Sequence, residues 1–412
     1  MSKTKIASLL DDYGDGIHGT PVYSDTGEYY FINGNNLNDG RIYITDDTLK
    51  IDVSEYLRIK RPLNENTLLM SINGTLGKIA LFRGEKIALG KSACFLNATS
   101  TINRDFIRWV LSTTAFRQYM MQVAHGSTIK NLAPSQIAEY EFQDVQDKEH
   151  VVHLLNSLDN KIELNNRISA ELEAMAKTLY DYWFVQFDFP DENGKPYRTS
   201  GGAMEWCQEL GREVPKGWKV GNLYDIADYI NGLACQNFRP AEGEESLPVI
   251  KIKEMHDGIT LDTERVSARI PEKNIINDGD ILFSWSATLE AMYWTGGKGG
   301  LNQHIFKVVP KVPYQKEFVY NQLSSYIINF VKMAEARKTT MGHITSDHLQ
   351  QSRIVLPPVP VLRQFHDEVS AQYQMIIKCR KENRELEKLR DWLLPMLMNG
   401  QAYVKVGGDE SV

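Results

Sequence analysis

Apolar positions along the chain follow two rhythms, and the pair of rhythms occurs twice. Residues 1–146 carry short β-branched and aromatic runs punctuated by Gly, Asn and Asp, together with the helical pattern RDFIRWVLSTTAFRQYMMQVA at Arg104 to Ala124. That mixture predicts an α+β globular unit. Over 147–187 the rhythm changes: Leu155, Leu158, Ile162, Asn165, Ser169, Leu172, Ala176, Leu179 and Trp183 step alternately by three and four, the seam of a coiled coil on one long helix. Residues 220–359 return to the first rhythm. Residues 360–398 return to the second, with a seam of Val369, Gln372, Ile376, Cys379, Asn383, Leu386, Arg390, Leu393 and Leu397, and 399–412 form a tail.

The two halves also match in order, though weakly in identity. FINGNNLNDG at Phe31 to Gly40 answers VIKIKEMHDG at Val249 to Gly258, both ending in an Asp-Gly turn signal. LLMSINGT at Leu68 to Thr75 answers ILFSWSAT at Ile281 to Thr288, and STIKNL at Ser127 to Leu132 answers TTMGHI at Thr339 to Ile344. The kept order points to an internal duplication. Two arrangements of the long helices are open: each packed on its own unit, or the two paired. Equivalent places in a duplicated chain favour pairing, and a polar seam position such as Asn383 then fixes register at some cost in stability.

Between the first helix and the second unit lies a stretch, 188–219, in which Pro190, Pro196 and Pro215 forbid a continuous helix and Gly194, Gly201 and Gly202 supply turns. Its centre, ENGKPYRTSGG, mixes glycine, basic and hydroxyl residues as phosphate cradles do. Its position gives it a different role, a connector that returns the chain to the second unit.

Composition narrows the function classes. A chain of 412 residues suits two domains, and no apolar run reaches the ~20 residues needed to cross a bilayer. The opening MSKTKIASLLDDYGDG has too short an apolar run for a signal peptide, so a cytoplasmic address is expected. Cys94, Cys207, Cys235 and Cys379 show no CxxC spacing, which argues against a zinc site or a disulfide framework. The net charge of −7 speaks mildly against nucleic acid, but basic loops bind phosphate on acidic proteins too.

The motifs of common enzymes fail on spacing. GKS at Gly90 to Ser92 lacks the Walker glycine five residues earlier, where Glu85 stands. EHVVH at Glu149 to His153 lacks the HExxH order and a third ligand. PDENGK at Pro190 to Lys195 has no Glu-x-Lys, LPPV at Leu356 to Val359 is not the motif of amino-methylating enzymes, and there is no Gly-x-Ser-x-Gly elbow. No catalytic or metal site is expected.

What remains are polar, partly basic loops at matching places. In the first unit they hold His18, Thr20, Asn33, Asn35, Ser71, Asn73, Thr75, Lys78, Lys91, Ser127, Thr128, Lys130 and Asn131. In the second they hold Lys251, Lys253, Ser284, Ser286, Thr288, Asn302, Gln303, His304, Arg337, Lys338, Thr339, Thr340 and His343. Amide, hydroxyl and basic side chains read base edges and hold phosphates, so these are candidate DNA contacts, their recurrence counting for the group and not for any one residue.

Over essentially its whole length the chain resembles the specificity subunits of type I restriction-modification enzymes. NSLDNKIELNNRISAELEAMAKTLYDYWF at Asn156 to Phe184, NGKPYRTSGGAM at Asn193 to Met204 and LGREVPKGWKV at Leu210 to Val220 carry the resemblance. It implies two target recognition domains, each reading half of an asymmetric bipartite site in double-stranded DNA, separated by an antiparallel coiled coil of the two long helices. It implies a non-catalytic chain that docks two methyltransferase subunits and joins restriction subunits. S-adenosylmethionine, ATP and Mg are then expected on those partners, with no cofactor on this chain. A helix from Glu149 to Val185 would be roughly 55 Å long at ~1.5 Å per residue, against ~34 Å for a turn of duplex. The competing class is a coiled-coil scaffold that joins partners without binding DNA.

Overall fold

The computed structural model describes residues 3–38, 40–126, 129–145, 147–286, 288–336 (334–336 as backbone alone) and 344–404. They form two compact units, Met1–Asn160 with Leu386–Val412, and Lys161–Glu385. Both are α+β.

The first unit is built on an antiparallel sheet in the order Leu10–Asp15, Ala93–Ala98, Thr67–Ser71, Ile79–Leu81. Thr67–Ser71 is buried at every position, and its alternate side chains enter two different cores. Leu68 and Met70 join Leu96, Phe106 and Trp109, whereas Leu69 joins Ile32, Leu89 and Phe95. A smaller sheet sets Tyr29–Ile32 parallel to Ile87–Leu89 and antiparallel to Lys50–Ile51. The helical pattern over Arg104 to Ala124 is two helices, Thr101–Ser112 and Thr114–Val123. Thr113, extended at ψ 150°, breaks them: its hydroxyl accepts the Phe116 N–H and so caps the second helix.

The second unit repeats the plan. Its main sheet runs Ala227–Asn231, Ile305–Pro310, Ile281–Ser284, Glu290–Tyr293, and Ser246–Ile250 lies parallel to Gly299–Leu301. Ile281 and Phe283 face one core with Phe318 and Phe330, and Leu282 faces another with Ile250 and Leu301.

The long helices are Lys148–Tyr180 and Val359–Met398. In the first unit Val151, Val152 and Leu155 pack with Leu394, Leu397 and Met398 in the main core, and Arg390 pairs with Asp159 at 3.2 Å. In the second unit the segments run antiparallel, since Tyr180 meets the Phe365 ring, Glu173 pairs with Arg380, and Asn165 meets Asn383. Ile162, Asn165, Ser169, Ala176, Val369, Ile376, Cys379 and Asn383 are buried there, with Leu172 and Leu179 partly so. Two seam positions differ from the three-four pattern. Tyr373 is buried in place of Gln372, its hydroxyl accepting the Asn321 amide at 2.8 Å, and Leu394 is buried more deeply than Leu393.

The stretch after the first helix is a folded part of the second unit and not a bare link. The helix ends in a π turn, Asp181–Val185, closed by Gln186 N–H to Asp181 O. Phe187 then takes a left-handed conformation, φ 65°, while its ring is buried edge-on against Trp218. Phe189 stacks between Tyr197 and Trp218, and the Asp188 carboxylate accepts both the N–H and the hydroxyl of Thr199. A Cβ on Gly202 would meet the Tyr197 ring at 2.5 Å, so the glycine is needed for packing. Met204–Cys207 and Arg212–Pro215 form a hairpin.

Candidate nucleic-acid interface

Loops leaving the strands of the first unit are tied together by main-chain hydrogen bonds. Gly16 N–H donates to Ala93 O, Ile17 to Leu89, Gly90 to Ile32, Ile72 to Ser92 and Leu132 to Ile72, all at 2.8–3.0 Å. The second unit makes the same five bonds at equivalent places: Gly232 to Ile305, Leu233 to Leu301, Asn302 to Ile250, Trp285 to His304 and Ile344 to Trp285, at 2.8–3.3 Å. Each sequence match has a pair of described residues in this register, Ile32 answering Ile250, Ser71 answering Ser284 and Leu132 answering Ile344; Ser127, Thr128 and 339–343 of the third match lie outside the described residues. A close approach at the same place of the frame uses a glycine in both units. A Cβ on Gly16 would sit 2.2 Å from Gly90 O, and one on Gly232 2.0 Å from Asn302 O.

This frame gathers most of the sequence candidates at one end of each unit and divides them into two kinds. Some serve the frame itself. Ser71 and Ser284 are fully buried, the first hydroxyl accepting Lys78 N–H and the second donating to Thr288 O. Ser92 Oγ accepts Gly34 N–H and donates to Asn33 Oδ1 at 2.8 Å. Ser286 and Asn302 are buried, and Asn302 Oδ1 accepts the His304 N–H. Lys251 is committed to Glu264 at 2.5 Å, and that hydrogen bond holds the Glu264 carboxyl below its ordinary value.

The other kind faces outward. His18, Thr20, Asn35, Thr75, Lys91 and Asn131 are exposed in the first unit, with Asn73, Lys78 and Lys130 partly so; Asn73 and Asn131 are bridged, and Lys130 O accepts Gly74 N–H. In the second unit Lys253 and Thr288 are exposed, and Gln303 and His304 are half-buried. His304 packs on the Trp285 ring with centroids 5.5 Å apart. Ser127, Thr128, Arg337, Lys338, Thr339, Thr340 and His343 lie outside the described residues.

Within its own frame Gly90-Lys91-Ser92 holds the position that Asn302-Gln303-His304 holds in the second unit's frame. Backbone is shared at these tips and side-chain chemistry differs. Sequence reasoning missed Arg58, Lys60 and Arg61, which border His18 and Thr20 in a surface notch of about 410 Å³. The signal was RIKRP at Arg58 to Pro62, a basic run of which the matching stretch in the other half, PEKNI at Pro271 to Ile275, keeps one lysine.

Among the described residues no group of three or more His, Cys, Asp or Glu is placed to hold a metal ion, and no helix is long and apolar enough to cross a membrane. Burial pushes the Cys94 thiol up to about 12 and that of Cys235 to about 11, which leaves neither as a thiolate nucleophile.

Comparison with known proteins adds three findings. The family described as type I restriction modification DNA specificity domain matches residues 19–174 and again 215–377. Among relatives, the type I restriction enzyme MjaIX specificity subunit of Methanocaldococcus jannaschii is 22% identical over 352 residues, 83% of this chain and 78% of its own. The HindI specificity subunit of Haemophilus influenzae is 24% identical over 310 residues, 63% of this chain and 68% of its own. Among solved structures, the S subunit of a type I restriction-modification system from M. genitalium shares the fold, with a TM-score of 0.58 at 16% identity over 96% of both chains.

Proposed function

The chain belongs to the type I restriction modification DNA specificity domain family, matched once in each half, and from that premise we propose how its two loop frames work. It is the DNA sequence-specificity subunit of a type I restriction-modification enzyme and not the catalytic one. Each unit reads one half of a bipartite site. The observation that carries this reading is the repeated frame with unlike tips: two identical sets of main-chain bonds present Lys91 in one unit and Gln303 in the other.

A bound duplex is recognised by base edges and by phosphates, and the frame suits both tasks. Lysine donates to guanine O6 and N7, whereas glutamine matches the donor and acceptor pair of adenine. Exposed Thr75, Asn131 and Thr288 offer further donors and acceptors, and Lys78, Lys130 and Lys253 offer charge for phosphates. Because the loops are fixed to one another before DNA arrives, little ordering cost is incurred on binding.

The chain works by assembly. It joins methyltransferase and restriction subunits, two methyltransferase subunits being the arrangement we propose, and S-adenosylmethionine, ATP and Mg are held by those partners. The test is retention of duplexes by the assembled methyltransferase complex, together with mapping of the bases it modifies. Two separated half-sites are expected. A complex that modifies nothing and holds no duplex would restore the scaffold reading.

A further inference from the structure

The notch beside the first loop frame is formed by Ile17, His18, Gly19 and Thr20 on one side and Arg58, Ile59, Lys60 and Arg61 on the other. Its walls are fixed. Arg61 Nη2 donates to Gly16 O at 3.0 Å, and Gly16 and Ile17 are themselves bonded to Ala93 and Leu89, so the notch moves with the loop tip that carries Lys91. Its charge is not internally balanced. Arg58 is paired with Glu55 and His18 with Asp15, both at contact distance, and none of the residues that line the notch is acidic. Lys60 is exposed and Arg61 is spent on a neutral carbonyl, so two positive charges remain on a chain whose net charge is −7.

The second unit supplies a comparison. There Asn274, fully buried, donates from Nδ2 to Asn231 O, holding the residue before Gly232 much as Arg61 holds Gly16. A neutral amide therefore suffices to fasten this loop. The cations at 58–61 do more than fasten it.

We infer that the notch is an anion site that seats one phosphate of the DNA backbone next to the first half-site, with Lys60 and Arg61 neutralising it and Thr20 and His18 at its rim. The inference rests on the DNA-reading function proposed above and assigns the contact to the first unit, where Arg61 adds a charge beside Lys60; at the matching places the second unit has Lys273 and the neutral Asn274. The site is indifferent to base identity, because a phosphate carries no sequence information. It raises affinity through counterion release and fixes the register in which the Lys91 tip meets the bases.

The experiment uses the complete methyltransferase complex and a duplex containing its mapped site, with binding followed from low to moderate salt. Lys60→Gln is the variant of choice, since Lys60 is exposed and its loss leaves no buried partner. Its expected effect is a several-fold loss of affinity, equal for cognate and unrelated duplexes, and a fall of about 0.9 in the slope of log K against log salt. Lys60→Arg should restore both. A series of duplexes carrying a single neutral methylphosphonate should contain one position at which Lys60→Gln no longer matters. An unchanged slope in a complex that still binds its site would overturn the inference and leave the DNA-reading function standing, as would a change confined to the bases preferred at one half-site. Failure of the unaltered complex to hold any duplex would overturn both.

Discussion

Asn165 and Asn383, each buried in the helix seam of the second unit, meet side chain to side chain: Asn165 Nδ2 donates to Asn383 Oδ1 at 2.9 Å. The Asn383 amide continues to Asn166 Oδ1 at 2.8 Å, and Asn165 also donates to Glu382. Polar groups so placed are satisfied in one register only, so the pair selects an alignment that leucines would leave free to slip.

Replacing one partner should therefore hurt more than replacing both. Asn383→Ala strands buried polar groups and is expected to cost about 1–3 kcal/mol in denaturant unfolding. The double change to leucine should recover most of that, at the expense of a unique register. A single variant as stable as the parent would show that the pair contributes nothing.

Glu382 gives the same seam a pH dependence. Its carboxyl is held below the usual 4.5, first by the Asn165 amide and then by Lys161. A depressed carboxylate contributes stability that is present above 4.5 and lost as pH falls through the folded value. The melting-temperature gap between the parent and Glu382→Gln should be open at neutral pH and should close on acidification below 4.5; a gap independent of pH would refute this.

At the loop tips, Lys91→Ala should relax base preference in one half-site and Gln303→Ala in the other, each by on the order of 1–3 kcal/mol. Mapping the modified bases distinguishes the outcomes. A uniform loss over all duplexes would make either residue a phosphate contact.

Gly16→Ala and Gly232→Ala should each break one frame, since the added carbon would sit 2.2 and 2.0 Å from carbonyl oxygens of the neighbouring loop. The expected result is loss of recognition at one half-site together with a fall in thermal stability. Either variant binding as the parent does would mean the loop can move aside.

Thiol chemistry offers a check on the core. With Cys94, Cys235 and Cys379 buried and Cys207 partly exposed, iodoacetamide should label the native chain at Cys207 first and the others only on unfolding. Early labelling of Cys94 would contradict the packing around it.

How much of this was legible beforehand depended on the physics of each feature. The duplication could be read because β-strand periodicity and turn residues leave marks along the chain, and Ser71 and Ser284 were found through them, though as parts of the frame. The seam was legible to within one residue, failing at Gln372 because Tyr373 finds a partner in Asn321, a contact between distant segments. The fold of the connector was hidden for a similar reason: Phe189, Tyr197 and Trp218 form a stack only after the chain has turned back. Arg61 left no paired mark in the sequence, because its place in the second half is taken by Asn274, a neutral residue.

The bonds that tie the loops run from N–H to C=O, groups that nearly every amino acid carries alike. The outward side chains at the tips, Lys91 and Gln303 among them, can therefore be exchanged without touching those main-chain bonds. In such a chassis a change of target asks for a few new letters rather than a new fold, and one unit can drift toward a different word while the other goes on spelling its own.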